Sequence, residues 1–230
     1  MKKADLHIHS CLSPCGDLTM IPSVVCSAEL DIIGITDHNT ARNIAAFALV
    51  CKDKIIVPGI EIHTMEDVHV LGYFPNLDNA LEVSEIIEKH TTKLPYDPEK
   101  YGYQLILDSE ENFVETIDYY LGFPTNLTID ETIKLINENN GIAFLAHVDR
   151  KFGAIEQLGF IPPVTKHVEV RKKENWIKLK NEGYIVLTSS DAHTPEDVGS
   201  RKIYFDEEVQ NASEVLKLLS EGRFKTIWDL

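Results

Sequence analysis

His7 and His9 stand one residue apart in Asp5-Leu6-His7-Ile8-His9-Ser10. On a strand that alternation points both imidazoles to one face, where they can chelate a single ion. Asp191-Ala192-His193 repeats the spacing with a carboxylate and an imidazole. Four more segments place histidine or carboxylate at the end of an apolar run: Ile35-Thr36-Asp37-His38-Asn39, Gly59-Ile60-Glu61-Ile62-His63, Val68-His69-Val70-Leu71-Gly72 and Phe144-Leu145-Ala146-His147. One such pair is weak evidence; two chelates in a chain where seven of nine histidines follow the same pattern point to a multinuclear metal site. Glu61 follows the run Ile55 to Ile60, where an unpaired carboxylate is costly to bury. Binding metal relieves that cost, and its two oxygens can bridge two ions. His90 and His167 fall outside the pattern and read as capping or surface residues.

The elements that must position these residues alternate along the chain. Strands are expected near 4–9, 32–36, 55–62, 68–74, 142–146, 167–170, 184–189 and 202–205, and helices near 22–30, 40–50, 78–90, 129–139, 173–182 and 211–221. Such alternation predicts parallel strands joined by crossover helices. Continuous apolar runs such as Ile142-Ala143-Phe144-Leu145 fit strands covered on both faces. Thr128-Ile129-Asp130-Glu131 has the form of a capping box, and Asn139-Asn140-Gly141 supplies the stop. The polar motifs recur at strand C-termini, where a barrel gathers an active site from separate strands. Residues 1–230 are expected to form one such domain, with a β-hairpin inserted near 100–118.

Composition narrows the partners. A formal charge of −15 disfavours a long electrostatic footprint on nucleic acid, which needs clustered Lys and Arg. Bound cations can still create a positive pocket within an acidic protein. No apolar h-region opens the sequence and no apolar stretch of about 20 residues follows; a soluble cytoplasmic protein is the simplest expectation, with no membrane association and no obligate protein partner evident. Cys11, Cys15, Cys26 and Cys51 form no CxxC pair, and reduced thiols are expected.

Together, Asp5-Leu6-His7-Ile8-His9-Ser10, Ile35-Thr36-Asp37-His38-Asn39, Pro58-Gly59-Ile60-Glu61, His69-Val70-Leu71-Gly72-Tyr73, Ala146-His147 and Ser190-Asp191-Ala192-His193 resemble the polymerase and histidinol phosphatase (PHP) superfamily over nearly the whole chain. The resemblance implies an α/β fold, a distorted (β/α)7 barrel with its metal site at the C-terminal strand ends. It implies one metal held by His7, His9, Glu61 and Asp191, a second by Glu61, His69 and His147, and a third by His38, His193 and a first-loop residue. Relatives place that last ligand about five or six residues after the histidine pair; here Asp17 is chosen, with a loop insertion, over Cys15. Asp37 is expected to orient a ligand rather than bind metal. Glu61, Asp191 and His193 are the candidate catalytic residues, and two or three divalent ions (zinc, manganese or iron) the expected cofactors.

The implied chemistry is hydrolysis of phosphate esters by metal-activated hydroxide, with a small phosphorylated molecule as substrate and short nucleic acid as a further candidate. Arg150, Arg201 and His63 are the candidate phosphate-binding residues. Two alternatives stand beside it: a metal-binding module without turnover, and a metal-dependent amidohydrolase. Barrels of the latter class also begin with a histidine pair, but no lysine lies at a strand end here to bridge metals.

Overall fold

The computed structural model describes residues 1–230. Eleven strands and eight α-helices follow in the order β1 (Lys2–Ile8), α1 (Pro22–Val25), β2 (Ile32–Ile35), α2 (Ile44–Val50), β3 (Ile55–His63), β4 (His69–Tyr73), α3 (Leu77–His90), α4 (Pro98–Tyr101), β5 (Leu105–Leu107), β6 (Phe113–Thr116), α5 (Ile129–Glu138), β7 (Ile142–Leu145), α6 (Ala154–Leu158), β8 (His167–Glu169), α7 (Lys173–Asn181), β9 (Ile185–Leu187), β10 (Ile203–Phe205), α8 (Ala212–Ser220) and β11 (Lys225–Thr226). Nine strands form one sheet, ordered β11-β10-β1-β2-β3-β4-β7-β8-β9. The chain just beyond β9 returns to β1: Ile8 and Ala192 form a parallel bridge, and the His9 N–H donates to the Ala192 carbonyl at 2.9 Å. Seven strands, β1-β2-β3-β4-β7-β8-β9, thereby enclose a nearly closed barrel, with β10 and β11 extending from β1.

The local reasons for these elements are those the sequence carries. The Thr128 side chain accepts from the Glu131 N–H while the Glu131 carboxylate accepts from the Thr128 N–H, so the capping box is formed and starts α5. Asn140 then adopts φ 60° and ends the helix. Asn76 caps α3 by accepting from the Asn79 N–H at 3.0 Å. Gly34 is required where β1 and β2 approach, because a Cβ there would lie 2.5 Å from the Leu6 carbonyl oxygen. β5 and β6 pair antiparallel as a separate two-stranded sheet.

Two strands of the sheet depart from the parallel expectation: β10, outside the barrel, runs antiparallel to β1, and β4 is reversed within it. β4 runs antiparallel to both β3 and β7, because only the short turn 64–68 separates it from β3, whereas a parallel crossover needs a dozen or more residues. His63 and His69 are register partners. The reversal carries the N-terminal end of β4 to the barrel mouth, so His69 arrives there from a strand start rather than a strand end.

Apolar side chains fill the barrel below the mouth. Val57, Leu71 and Tyr73 lie at even spacing from Glu61 and His69 on the same strands, and they pack with Phe144, Leu187 and the α8 residues Val215 and Leu219. A second cluster, including Ile60, Ile62, Val70 and Leu145, joins the opposite strand faces to Val83 and Ile87 of α3 and Ile133 of α5.

The expectation of four reduced thiols is corrected. Cys26 and Cys51 are joined as a disulfide with Cα atoms 6.0 Å apart, leaving Cys11 and Cys15 free. Each bonded cysteine is the C-terminal cap of a short helix, Cys26 of α1 and Cys51 of α2. Packing of the two helices makes the pair, a relation that a search for CxxC spacing does not see. Thiol titration of denatured, non-reduced protein should count two thiols, and Cys26→Ser should lower stability by about 3 kcal/mol for a loop of this length; four free thiols in native protein would remove the crosslink.

Candidate metal centre

Six barrel strands bring the motif residues to one mouth. β1 ends at His7 and His9, β2 leads to His38, β3 carries Glu61, β4 begins with His69, β7 leads to His147, and the segment after β9 carries Asp191 and His193. At the centre is the Glu61 carboxylate, 1% exposed. Its Oε1 lies 2.9 Å from His69 Nδ1, 2.9 Å from His147 Nε2 and 3.4 Å from His7 Nε2. Its Oε2 lies 3.1 Å from both His9 Nε2 and His38 Nδ1. Asp191 Oδ1 lies 3.3 Å from the Nε2 atoms of His7 and His9, which face each other at 3.2 Å.

Three groups emerge whose donor atoms lie within 4.8 Å of one another: His7, His9, Glu61 and Asp191; His38, Glu61 and His69; and His9, His38 and His193. The His147 contact to Glu61 places it beside the second group. The donor set fits divalent ions. Ring nitrogens and carboxylate oxygens converge on common points; buried His147 Nδ1 has no hydrogen-bond partner, and His38 Nδ1 meets Glu61 Oε2 at 3.1 Å without the alignment of a hydrogen bond.

The surrounding hydrogen bonds fix ring orientation. Asp37 accepts from the Ser10 N–H and hydroxyl and from the Ser13 hydroxyl, each at 2.7 Å, and Ser13 Oγ is 2.9 Å from His9 Nδ1. Asp37 therefore reaches the cluster only through Ser13. Glu169 does the corresponding work for two ligands: its Oε2 lies 3.0 Å from His7 Nδ1 and accepts from the His147 backbone N–H at 3.0 Å. Sequence reasoning missed Glu169. Its sequence signal is weak, since Glu169 stands in Lys166-His167-Val168-Glu169-Val170 without the apolar run that precedes Glu61. His147, Asp191 and Asn39 hold left-handed backbone conformations, with φ of 23°, 53° and 55°. Such strain clusters where surrounding contacts dictate geometry; the Asn39 side chain, for instance, accepts from the His63 N–H and donates to the Leu121 and Phe123 carbonyls.

The charges are strongly coupled. Burial pushes the His7 and His9 pKa values down, but neighbouring carboxylates win. Glu169, Asp191 and Glu61 raise His7 well above its ordinary value, and Asp191 and Glu61 raise His9 to about 9. Burial lowers His69 and His193 to about 4. Burial alone would raise Glu61, yet His69, His7 and His38 hold it well below the usual carboxylate range.

A cavity of about 270 Å3 opens over the cluster, lined among others by His38, Glu61, Asp191, Arg150, Lys151 and Cys15. Of the candidate phosphate-binding residues, only Arg150 lines it, with its guanidinium paired to Asp191. Arg201 is drawn away because its guanidinium donates to the Arg171 carbonyl and stacks over Trp228. His63 lies behind His69, with its ring nitrogens 3.1 Å from the Gly122 carbonyl and from Asp67 Oδ1. Asp17 does not reach the cluster: its exposed carboxylate accepts from the Thr19 N–H and hydroxyl at 2.8 and 2.6 Å. Only the Asp17 backbone touches the site, donating to the His193 carbonyl at 2.8 Å. His90 and His167 stand apart, bonded to Asn126 and packed on Phe144.

A family model described as PHP-associated matches residues 180–224. A lesion-specific endonuclease from Pyrococcus furiosus is similar in structure, with a TM-score of 0.69 and 16% identity, covering 98% of this chain and 57% of the endonuclease. The chain thus spans little more than half the length of that enzyme. A metal-dependent phosphoesterase, described as putative, from Bifidobacterium adolescentis gives a TM-score of 0.56 at 16% identity, over 83% of this chain and 87% of that one. An amidohydrolase from Chromobacterium violaceum gives 0.57 at 15% identity over 97% of both. Comparison with curated proteins returns no significant sequence match. The family match is confined to residues 180–224, and the solved structures show a likeness of fold. No helix is long and apolar enough to cross a membrane.

The raised pKa values of His7 and His9 give a signed test on chelator-treated protein. Both groups take up protons more readily folded than unfolded, so their contribution is complete below pH 6.5, the ordinary histidine value; that of His9 is lost as pH rises through about 9, and that of His7 as pH rises through its own raised value. Thermal stability of the chelated protein should fall between those limits. A flat or rising profile there would contradict the coupling between the histidines and their carboxylates.

Proposed function

We propose that the chain is a metal-dependent phosphoesterase of one barrel domain, with the β5–β6 hairpin as an insertion. The observation that carries this reading is Glu61, whose two oxygens address separate sets of imidazoles at the floor of a cavity rimmed by Arg150 and Lys151. His7, His9, Glu61 and Asp191 would hold one divalent ion; Glu61, His69 and His147 a second, with His38 close by; and His9, His38 and His193 a third. Ions bound there supply an acidified water and neutralise charge on a phosphoryl group. The chain's own residues do the rest. Glu169 and Ser13 hold the tautomers of His7 and His9, and the pocket limits access of bulk water. Arg150 can move its guanidinium from Asp191 to a non-reacting phosphate oxygen.

The substrate class we favour is a small or single-ended phosphate ester, including the end of a short nucleic acid; the endonuclease likeness supports the second and the acidic charge of −15 limits its length. A cytoplasmic location is part of the same proposal. The amidohydrolase likeness keeps amide hydrolysis as the second reading, although Glu61 rather than a lysine occupies the bridging position.

Protein reconstituted separately with zinc, manganese and iron should hydrolyse an aryl phosphate ester and leave an aryl amide intact. Glu61→Gln should reduce that turnover by orders of magnitude with the fold retained by circular dichroism. The opposite substrate preference, or wild-type turnover by the variant, would overturn the reading. Arg150→Lys keeps the charge but loses the planar fork. It should weaken inorganic phosphate inhibition and lower kcat/KM about tenfold to a hundredfold with metal content unchanged; unaltered kinetics would return Arg150 to the role of Asp191's partner.

A further inference from the structure

Four aromatic side chains of residues 91–128, around the β5–β6 hairpin, form one cluster. Tyr120 stands at its centre, its ring centroid 5.7 Å from those of Tyr96 and Tyr101 and 5.1 Å from that of Phe123. Tyr101 is 56% exposed and the other three are only half-buried. The rings are nonetheless held in place. A Cβ at Gly122 would lie 2.6 Å from the Tyr120 ring, so glycine lets that ring rest against the backbone. The Gly122 carbonyl is 3.1 Å from His63 Nδ1, and Asn39, next to His38, donates to the Leu121 and Phe123 carbonyls.

The cluster adjoins the metal cavity at two points. Gly102, the neighbour of Tyr101, packs against the Pro14 carbonyl, and the following residue, Cys15, lines the cavity. His63 contacts both the Gly122 carbonyl and the Phe152 ring, the latter at 5.1 Å between centroids, and Phe152 lines the cavity as well. Arg150 and Lys151 make one part of the wall cationic. The charge around the rings has the opposite sign, with seven carboxylates against two lysines over residues 91–128. A second phosphate is repelled there; an uncharged or cationic ring is not.

We propose that Tyr120, with Tyr101, Tyr96 and Phe123 around it, is a stacking subsite for the planar heterocycle of a mononucleotide whose phosphate lies at Arg150. The inference rests on the phosphoesterase reading and narrows its substrate class to a phosphate monoester joined to a ring, in preference to an oligonucleotide. Hydrolysis breaks the ester P–O bond, with water supplying the new oxygen of inorganic phosphate and the proton of the released nucleoside hydroxyl. Stacking on an aromatic side chain tolerates any base, because every base has a π-face. The subsite therefore selects for a ring rather than for one base, and the surrounding carboxylates select against the phosphates of neighbouring nucleotides.

Metal-loaded protein assayed on adenosine monophosphate, a 5′-phosphorylated dinucleotide and glycerol phosphate tests the subsite. The mononucleotide should have a kcat/KM about tenfold above either of the others. Tyr120→Ala should remove most of that preference, chiefly through KM, and Tyr120→Phe, which keeps the ring, should retain it. Tyr101→Ala, at an exposed position whose loss leaves the core untouched, should act in the same direction. Phe113→Ala, on β6 and 56% exposed but outside the cluster, should leave the preference as it is. Equal kcat/KM for mononucleotide and glycerol phosphate, a preference for the dinucleotide, or a preference that survives both alanine variants would overturn the subsite while leaving the phosphoesterase reading intact. If no phosphate ester is turned over, that reading fails, and calorimetric titration with a non-hydrolysable nucleoside phosphonate still decides the subsite: binding weakened about tenfold by Tyr120→Ala supports it, and absent or unaltered binding overturns it.

Discussion

The buried carboxylate of Glu61 is the constraint around which the mouth is organised. An isolated carboxylate at 1% exposure would be neutralised or expelled. Here five imidazoles delivered by four strands, β1, β2, β4 and β7, surround it at 2.9 to 3.4 Å. Each of those rings must be delivered at the same height, which accounts for the reversal of β4. A parallel β4 would send its first residue to the far end of the barrel and leave Glu61 without His69. The bridge between Ile8 and Ala192 has the matching role on the other side, bringing Asp191 and His193 against His7 and His9.

Much of this was legible in the sequence because strand alternation and apolar runs report directly on which face a residue occupies. His7, His9, Glu61, His69, His147, Asp191 and His193 all come to one mouth, and the α5 boundaries follow from Thr128, Glu131 and Asn140. What escaped depends on contacts between distant segments. Asp17 turns away because Thr19, two residues on, offers its carboxylate two donors, while the useful contact of the loop is made by a backbone N–H. The disulfide joins the ends of two helices that only tertiary packing brings together. Glu169 lies on a three-residue strand whose value is apparent only when both His7 and His147 are seen to reach it. Arg201 illustrates the converse: its distance from His193 in sequence says nothing about the carbonyl of Arg171 that captures it.

Local and global charge diverge sharply here. The chain carries a formal charge of −15, yet Arg150 and Lys151 line the cavity with ligands that would surround several cations. Under the proposed function, a volume of about 270 Å3 would take a phosphoryl group and a modest attachment, and the net charge of −15 disfavours a long polyanion beyond it. Cys15 lines the cavity and Gly102 packs against its loop, while the 119–123 segment is tied to Asn39 and His63. The inserted segment is thus mechanically joined to residues that adjoin His38 and His69. These hydrogen bonds give the segment a fixed position beside the cluster, which a hairpin joined by flexible linkers would not have.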